Sequence, residues 1–126
     1  MTARLIRLKT RGDFLRVAAG RVRAVRPGLI VQAAPQPDET VAVLRVGFTA
    51  SRRVGNAVKR NRAKRRLRAA ADAVLPQRGK TGTDYVLIAR ATTGGRAYAD
   101  LLADLEGALR QLARQGSAKD ARGGEG

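Results

Sequence analysis

The residues best suited to chemistry in this sequence are a run of cations between positions 59 and 68. If this run is helical, its side chains fall into three parallel rows, which are Arg60, Lys64 and Arg68, then Asn61 and Arg65, then Arg62 and Arg66. One helical turn rises about 5.4 Å, which is comparable to the spacing of successive phosphates along a strand. Because a guanidinium donates two parallel hydrogen bonds to a phosphate, the pattern indicates binding of a polyanion.

Two features beside these rows keep more than one interpretation open. Asn61 lies between two arginines, and its amide can read a base edge or a ribose hydroxyl, or it can cap a neighbouring loop. Upstream, Gly55 and Asn56 predict a turn and a helix N-cap that follow Arg52 and Arg53. This corner can be an anion site at a helix N-terminus, but an ordinary strand-to-helix turn explains the Gly and Asn equally well.

The charge balance of the whole chain supports a nucleic-acid partner. Its 126 residues include 26 Lys and Arg against 10 Asp and Glu, which gives a formal net charge of +16. No acidic residue occurs from 40 to 71, where the basic run lies. A charge this large on a small domain opposes compaction, and a polyanion relieves that repulsion. A basic surface kept only for solubility does not account for so long a stretch without acids.

Missing residue types exclude several classes of site. The chain has no Cys and no His, so disulfides, thiolate nucleophiles, the usual zinc sites and His-dependent triads are excluded. The longest apolar run, at 85–89, is far shorter than the roughly 20 residues of a membrane span. The arginine-dotted N-terminus has no signal-peptide pattern. We expect a soluble cytoplasmic protein.

Periodicity predicts an α+β domain over residues 1–115 and a flexible low-complexity tail over 116–126. The first helix is predicted at 10–19, with Thr10 and Asp13 at its start. The other predicted helices are 56–75, ended by Pro76, and 97–114, and the predicted strands are 29–33, 41–50 and 84–91. We expect the strand at 41–50 to pair with the strand before it. Ala63, Leu67, Ala70, Ala71 and Val74 would form the buried stripe of the second helix.

Four segments together resemble the signature of the bacterial ribonuclease P protein subunit. They are RLK at 7–9 with DF at 13–14, RVGF at 45–48, SRRVGNAVKRNRAKRRLR at 51–68, and DYVLIAR at 84–90. The resemblance covers residues 4–113. It implies an α-β-β-β-α-β-α sandwich like a domain of a small-subunit ribosomal protein. It also implies a left-handed βαβ crossover, although about 98% of such crossovers are right-handed.

The resemblance also implies a function. In that family the RNA subunit is the catalyst, and it removes the 5′ leader of precursor tRNA with Mg²⁺ that the RNA and substrate bind. The protein binds that RNA and the leader in a one-to-one complex, and it contributes no catalytic or metal-binding residue. The residues implied to face the catalytic RNA are Arg52, Arg53, Arg60, Asn61, Arg62, Lys64, Arg65 and Arg68.

The leader is expected in a cleft between the first helix and the sheet, which would be lined by Phe14, Val17, Ala18, Ile30 and Gln32. Phe14 matches a family aromatic, whereas Ala18 and Gln32 stand where many members carry Phe and Tyr. A lost base–aromatic stack costs about 1–3 kcal/mol per base, so Phe14, Val17, Ile30 and backbone charge would have to suffice. Core packing is the alternative role of Phe14, and Phe48 and Tyr85 are assigned to the core.

Three other functions fit parts of the sequence. A ribosomal or ribosome-assembly RNA-binding protein would share the size and basicity. A metal-dependent nuclease would use Asp100 and Asp104, which lie at i, i+4 on a face that otherwise reads as solvated. A DNA-binding helix at 56–75 would need a preceding helix of helix-turn-helix spacing, which the sequence does not predict.

Overall fold

The computed structural model describes residues 4–37 and 43–125, with the side chains of this part described as far as residue 115. Its elements are β1 (Leu5–Arg7), α1 (Arg11–Ala19), β2 (Arg23–Val25), β3 (Leu29–Pro35), β4 (Leu44–Thr49), a 3₁₀ turn (Arg52–Val54), α2 (Ala57–Arg78), β5 (Thr83–Ala89) and α3 (Tyr98–Glu125). From α1 onward the order is α-β-β-β-α-β-α, which confirms the predicted fold class. Strands β1 and β2 were not among the predicted strands.

Helix α1 begins as its sequence predicts. The Thr10 hydroxyl accepts a hydrogen bond from the Asp13 backbone N–H at 3.2 Å. The same hydroxyl donates to the Asp13 carboxylate at 2.8 Å, so the two side chains close the first turn reciprocally. Gly20 follows the last helical residue, as expected. On the inner face of α1, Val17 is fully buried against the sheet.

The Asp13 carboxylate should make stability depend on pH in the acid range. Its pKa lies below the ordinary value of 3.8, chiefly because Thr10 donates to it and further because Arg45 and Arg16 lie near; desolvation opposes both. A carboxylate whose pKa is lower in the folded state stabilises the fold above the unfolded pKa, and the contribution disappears as pH falls through the folded value. Above pH 5 we expect Asp13→Asn to cost about 0.3–1 kcal/mol. Urea unfolding of both proteins from pH 6 to pH 2.5 measures this difference, and a gap that stays constant below pH 3 would contradict the assignment.

The five strands form one sheet in the order β1-β4-β5-β3-β2. Strand β4 is parallel to both β1 and β5, while β3 is antiparallel to β5 and β2. The prediction that β4 pairs with the preceding strand is wrong, because β5 lies between β3 and β4. β5 takes the central position since it carries the most continuous apolar run and is buried along most of its length.

The backbone hydrogen bonds of β4 show the hand of the β4–α2–β5 crossover. The Leu44 N–H donates to the Arg4 carbonyl on the β1 side, and the Val43 carbonyl accepts from Gly82 on the β5 side. The Leu44 side chain points into the core beneath α2. For an L-residue in a strand, the side-chain direction fixes the side to which its N–H points. Viewed from α2 with β4 running upward, β5 therefore lies on the left, and the crossover has the rare left hand.

Two layers of helix cover the sheet. On one face, α2 and α3 enclose the main core, to which the sheet contributes Leu44, Val46, Tyr85 and Leu87. The predicted stripe of α2 is confirmed, because Ala63, Leu67, Ala70, Ala71 and Val74 are all buried. On the opposite face, α1 packs over a smaller cluster of Leu8, Val17, Ala34 and Val86. That second face is only partly covered.

Two helices end later than predicted. Helix α2 continues through Pro76 to Arg78, because a proline in the last turn removes one hydrogen bond and leaves the bond from Gly79 N–H to the Leu75 carbonyl intact. Helix α3 passes the predicted end at Arg114 and reaches Glu125, although the extension contains Gly116, Gly123 and Gly124, and each glycine inside a helix costs about 1 kcal/mol. The flexibility assigned to 116–126 stays a prediction.

Of the helices that the structure describes, none is long and apolar enough to cross a membrane.

Candidate nucleic-acid interface

The turn before α2 is fixed by two residues that the sequence singles out. Gly55 has φ +137°, and a Cβ built there would lie 2.7 Å from Cδ of Lys59, so only glycine fits without strain. Asn56 then caps α2, because its side-chain carbonyl accepts the Lys59 backbone N–H at 3.0 Å. The predicted N-cap is therefore confirmed. The turn carries Arg52 and Arg53 on its surface, next to the start of the basic helix.

Helix α2 presents its cations on the side opposite the buried stripe. Because five of the six buried positions of α2 are alanine or leucine, the helix packs closely on the sheet and its long side chains are left outside. The structure places all eight predicted RNA-facing residues on the turn and the following helix. Arg52, Arg53, Asn61, Arg62 and Arg65 are exposed, and Arg60, Lys64 and Arg68 are half-buried.

These cations have no acidic partners within the described part of the chain. Every ion pair among the described residues contains Asp13, Asp84 or Asp104, and none includes a side chain of α2. Asp72 is the first acidic residue of the helix and lies beyond the basic run. The positive field of α2 is therefore not neutralised internally, which favours association with a polyanion.

Arg66 differs from the other cations of α2. Its guanidinium donates to the backbone carbonyl of Arg96, which links α2 to the segment before α3. A basic side chain used in this way positions the helix. Its absence from the predicted RNA-facing set agrees with this role.

The predicted leader cleft lies on the face with α1, and its residues differ in exposure. Ala18 is exposed, and Phe14, Ile30 and Gln32 are half-buried. Val17 is fully buried among Leu8, Ala34 and Val86, so its side chain supports the cleft without lining it. The i, i+3 spacing of Phe14 and Val17 turns both side chains toward the sheet, and of the two only Phe14 is partly exposed.

Strand register adds residues to this face that the sequence analysis missed. Ile30 pairs with Val25 on one side and with Ile88 on the other, and Ile88 pairs with Thr49. Cross-strand partners share a face of the sheet, so these four side chains form a row across β2, β3, β5 and β4. Val25 is 49% exposed, and the other three are half-buried. The row is an open, mainly apolar strip beside the predicted cleft.

Gly47 sets the position of the Phe14 ring. A Cβ built on Gly47 would lie 2.4 Å from Cζ of Phe14 and 3.3 Å from Cβ of Leu8, so the ring rests directly on the β4 backbone. Since no other residue type leaves this space, Gly47 positions the aromatic group of the predicted cleft.

We expect Gly47→Ala to displace the Phe14 ring and to destabilise the protein by about 1–3 kcal/mol, as overpacking does in well-packed sites. Urea unfolding measures the loss. In the double variant with Phe14→Ala, the added methyl group no longer meets the ring, so the cost of Gly47→Ala should nearly disappear. Additive losses in the double variant would show that the ring does not rest on Gly47.

Phe48 is less buried than its assignment to the core predicted. It packs against the main core but is half-buried, and the guanidinium carbons of Arg7 and Arg68 lie 5.2 Å and 6.0 Å from its ring centroid. Both distances are within the range of cation–π attraction. Tyr85, in contrast, is 4% exposed, and burial raises its pKa above 10.0. The assignment of Tyr85 to the core is confirmed.

A buried carboxylate fastens α1 to the sheet. Asp84 is fully buried and accepts hydrogen bonds from Arg45 Nε at 2.7 Å, from Arg45 Nη2 at 2.6 Å, and from Arg16 of α1. Arg16 also donates to the Pro35 carbonyl at 2.9 Å. The hydrogen bond to Asp84 is the main cause of the raised pKa of Arg45. One carboxylate on β5 thus joins β4 to the helix that carries Phe14.

The two aspartates weighed as a nuclease site do not form one. Asp104 is largely buried and accepts from Arg96 Nε at 2.5 Å and from Arg96 Nη2 at 3.1 Å, whereas Asp100 is exposed. Over the described ranges, no group of three or more acidic side chains is placed to hold a metal ion. Asp104 is therefore an ion-pair partner at the start of α3.

Comparison with known sequences gives consistent matches over most of the chain. The family model for ribonuclease P matches residues 2–113. The ribonuclease P protein component of Paramagnetospirillum magneticum is 54% identical over 114 residues, which are 89% of this chain and 86% of that protein. The component of Ruegeria pomeroyi is 51% identical over 106 residues, which are 83% of this chain and 84% of that protein.

Solved structures share the fold at lower sequence identity. The Staphylococcus aureus RNase P protein superposes with a TM-score of 0.68 at 24% identity, over 82% of this chain and 92% of that one. The Thermotoga maritima protein superposes with a TM-score of 0.66 at 24% identity, over 86% and 96% of the two chains. These likenesses support the α+β architecture and the order of its elements.

Proposed function

Because this chain belongs to the ribonuclease P protein family, whose members are components of an endoribonuclease, we propose that it binds the catalytic RNA of that enzyme and the 5′ leader of precursor tRNA. The observation that carries the proposal is the set of exposed cations on α2 and the preceding turn, which have no acidic partner within the described residues. Bound phosphates would supply the missing negative charge. The proposed complex holds one protein and one RNA, and it acts in the cytoplasm.

The proposal assigns positioning and electrostatics to the protein and bond cleavage to the RNA. Leader phosphates and the catalytic RNA repel each other, and an interposed basic domain lowers that repulsion, so substrate with a leader binds better than leaderless product. The described side chains do not fit a Mg²⁺ site, since that ion prefers clustered oxygen ligands and the acidic residues here are dispersed or paired with arginine. The proposal therefore assigns Mg²⁺ to the RNA and the substrate.

The leader is proposed to lie on the partly open face beside α1. Phe14 offers one ring there, held by Gly47, while Ala18 and Gln32 offer none. The apolar row of Val25, Ile30 and Ile88 extends the same face and gives unstacked bases an alternative surface. We therefore expect leader recognition to use apolar contact and backbone charge more than aromatic stacking.

Reconstitution tests the proposal. The purified protein, combined with the transcribed ribonuclease P RNA of the same organism, should lower the Mg²⁺ concentration needed to remove a leader, and the protein alone should cleave nothing. Leaderless tRNA is the matched control for binding. Cleavage by the pure protein, or an unchanged Mg²⁺ requirement, would refute the proposal.

Sequencing the RNA that copurifies with the protein separates this function from ribosome assembly. We expect one RNA, the ribonuclease P RNA, in about equimolar amount. Enrichment of ribosomal RNA in its place would favour the ribosome-assembly function.

A further inference from the structure

A pocket of about 330 Å³ lies at the edge of the sheet, where β1 ends beside β4. Four cations line it, Arg7 and Lys9 from the N-terminal segment and Lys64 and Arg68 from α2, together with the rings of Phe14 and Phe48. No acidic residue is among the lining residues. The volume is at the lower end of the 300–1,000 Å³ typical of pockets for small ligands. The chemistry suits an anion with an attached flat or apolar group.

Contacts with Phe48 hold two of these cations in place. Arg7 and Arg68 both lie over its ring, at 5.2 Å and 6.0 Å from the centroid, although like charges repel each other. The negative face of the ring offsets part of that repulsion. The buried Nε of Arg68 has no hydrogen-bond partner within the described residues, and the same is true of Arg26, Arg60 and Arg66. Of these four arginines, only Arg68 lines the pocket, where a bound anion would offer an acceptor to its side chain.

The pocket also joins the two faces of the sheet. Phe48 belongs to the core under α2, whereas Phe14 belongs to the cluster under α1. Between them on β4 stands Gly47, which also lines the pocket and supports the Phe14 ring. A strand bound along α2 can therefore continue around the sheet edge to the face of α1.

We infer that this pocket binds one phosphate group of an RNA strand where the strand passes from α2 to the face of α1. Arg7 and Lys9 are then RNA-binding residues in addition to those of α2, and Phe48 is a positioning residue for Arg7 and Arg68. The inference rests on the proposed function for the identity of the RNA, which is either the leader or the catalytic RNA. The phosphate chemistry is common to both.

The pocket itself is tested with inorganic pyrophosphate and the full-length protein, followed through the backbone amide signals of Arg7, Gly47 and Phe48 in NMR titrations. We expect saturable shifts at these amides. Lys9→Ala and Arg7→Ala should each weaken binding at least fivefold, and Phe48→Leu should weaken it about threefold while the thermal midpoint stays close to wild type. Lys9 is exposed and lies outside β1, so its replacement leaves the fold intact.

Arg110→Ala is the matched control, because Arg110 is an exposed cation of α3 outside the pocket lining. It should change pyrophosphate affinity less than twofold. Equal affinities for Lys9→Ala, Arg7→Ala and Arg110→Ala would overturn the inference, as would the absence of shifts at the pocket amides.

Two further titrations identify the source of the phosphate. If Lys9→Ala weakens binding of the catalytic RNA itself, that RNA occupies the pocket. If it weakens only the binding of leader-bearing precursor by the assembled complex, with leaderless tRNA unaffected, the leader occupies it. When wild type binds both RNAs and the variant matches it in both titrations, the inference fails. When wild type binds neither RNA yet pyrophosphate still binds the pocket, the proposed function fails and the anion pocket stands.

Discussion

Replacing Asp84 with Asn is expected to lower the free energy of unfolding by about 3 kcal/mol, the lower end of the range for breaking a buried ion pair. The carboxylate is fully buried, and it holds the guanidinium groups of Arg45 and Arg16. The amide keeps the size of the side chain but leaves two cations facing one neutral group. Since both arginine side chains are about a third exposed, water compensates part of the loss. Urea unfolding measures the change, and the thermal midpoint should fall by roughly 10 °C.

Asp72→Asn is the matched control, since Asp72 is exposed on α2 and has no ion-pair partner within the described residues. It should change stability by less than about 0.5 kcal/mol. Adding Arg45→Met to Asp84→Asn should recover part of the loss, because it removes one of the unpaired cations. Equal effects at Asp84 and Asp72 would contradict the role of Asp84 as the link between α1 and the sheet.

The helices were predictable because their signals are local. The Thr10 and Asp13 pair specifies the start of α1, and the Gly55 and Asn56 pair specifies the start of α2, each within a few residues. The buried stripe of α2 follows from a period of 3.6, so the outward direction of its cations followed from the same pattern. Most of the predicted RNA-facing surface was therefore accessible from sequence.

The sheet was predictable only in part because its contacts join distant segments. β1 and β2 have three residues each, too few for alternation to show, and they exist through pairing with β4 and β3. The continuous apolar run of β5 indicates that both its faces are covered, but it does not identify β3 and β4 as the neighbouring strands. The expectation of a left-handed crossover came from the family resemblance, and the hydrogen bonds of Leu44 and Val43 now show it.

The parts of the candidate site that sequence reasoning missed depend on this sheet order. Arg7 comes next to Phe48 because β1 pairs with β4, so that Arg7 is the register partner of Val46. Ile88 joins Ile30 on the face of α1 because β5 pairs with β3. Residues so far apart in the chain share no periodic pattern. The sequence shows that Arg7 is basic and that Ile88 is apolar, but it does not show which residues they contact in the fold.

Removing three exposed cations from the α2 side should weaken binding of the ribonuclease P RNA by roughly 10²-fold near 0.1 M salt. The triple variant is Arg52→Ala, Arg62→Ala and Arg65→Ala, which lowers the net charge of +16 by three. The estimate takes about 1 kcal/mol for each exposed charged contact. All three side chains are exposed and outside the ion pairs of the described residues, so the fold should be unaffected. Filter binding across a salt series measures both the affinity and its dependence on salt.

The salt dependence decides whether these residues contact phosphate. Each lost contact on duplex-like RNA should reduce the slope of log K against log salt by about 0.9, so the triple variant should lose between two and three units of slope. A second variant with Arg78→Ala, Arg110→Ala and Arg114→Ala has the same net charge, and it removes exposed cations from the end of α2 and from α3. If net charge alone governed binding, the two variants would lose affinity and slope equally. The arrangement of cations on α2 predicts that the second variant keeps most of both, because its lost charges lie away from the turn and the basic rows that present consecutive donors to a strand.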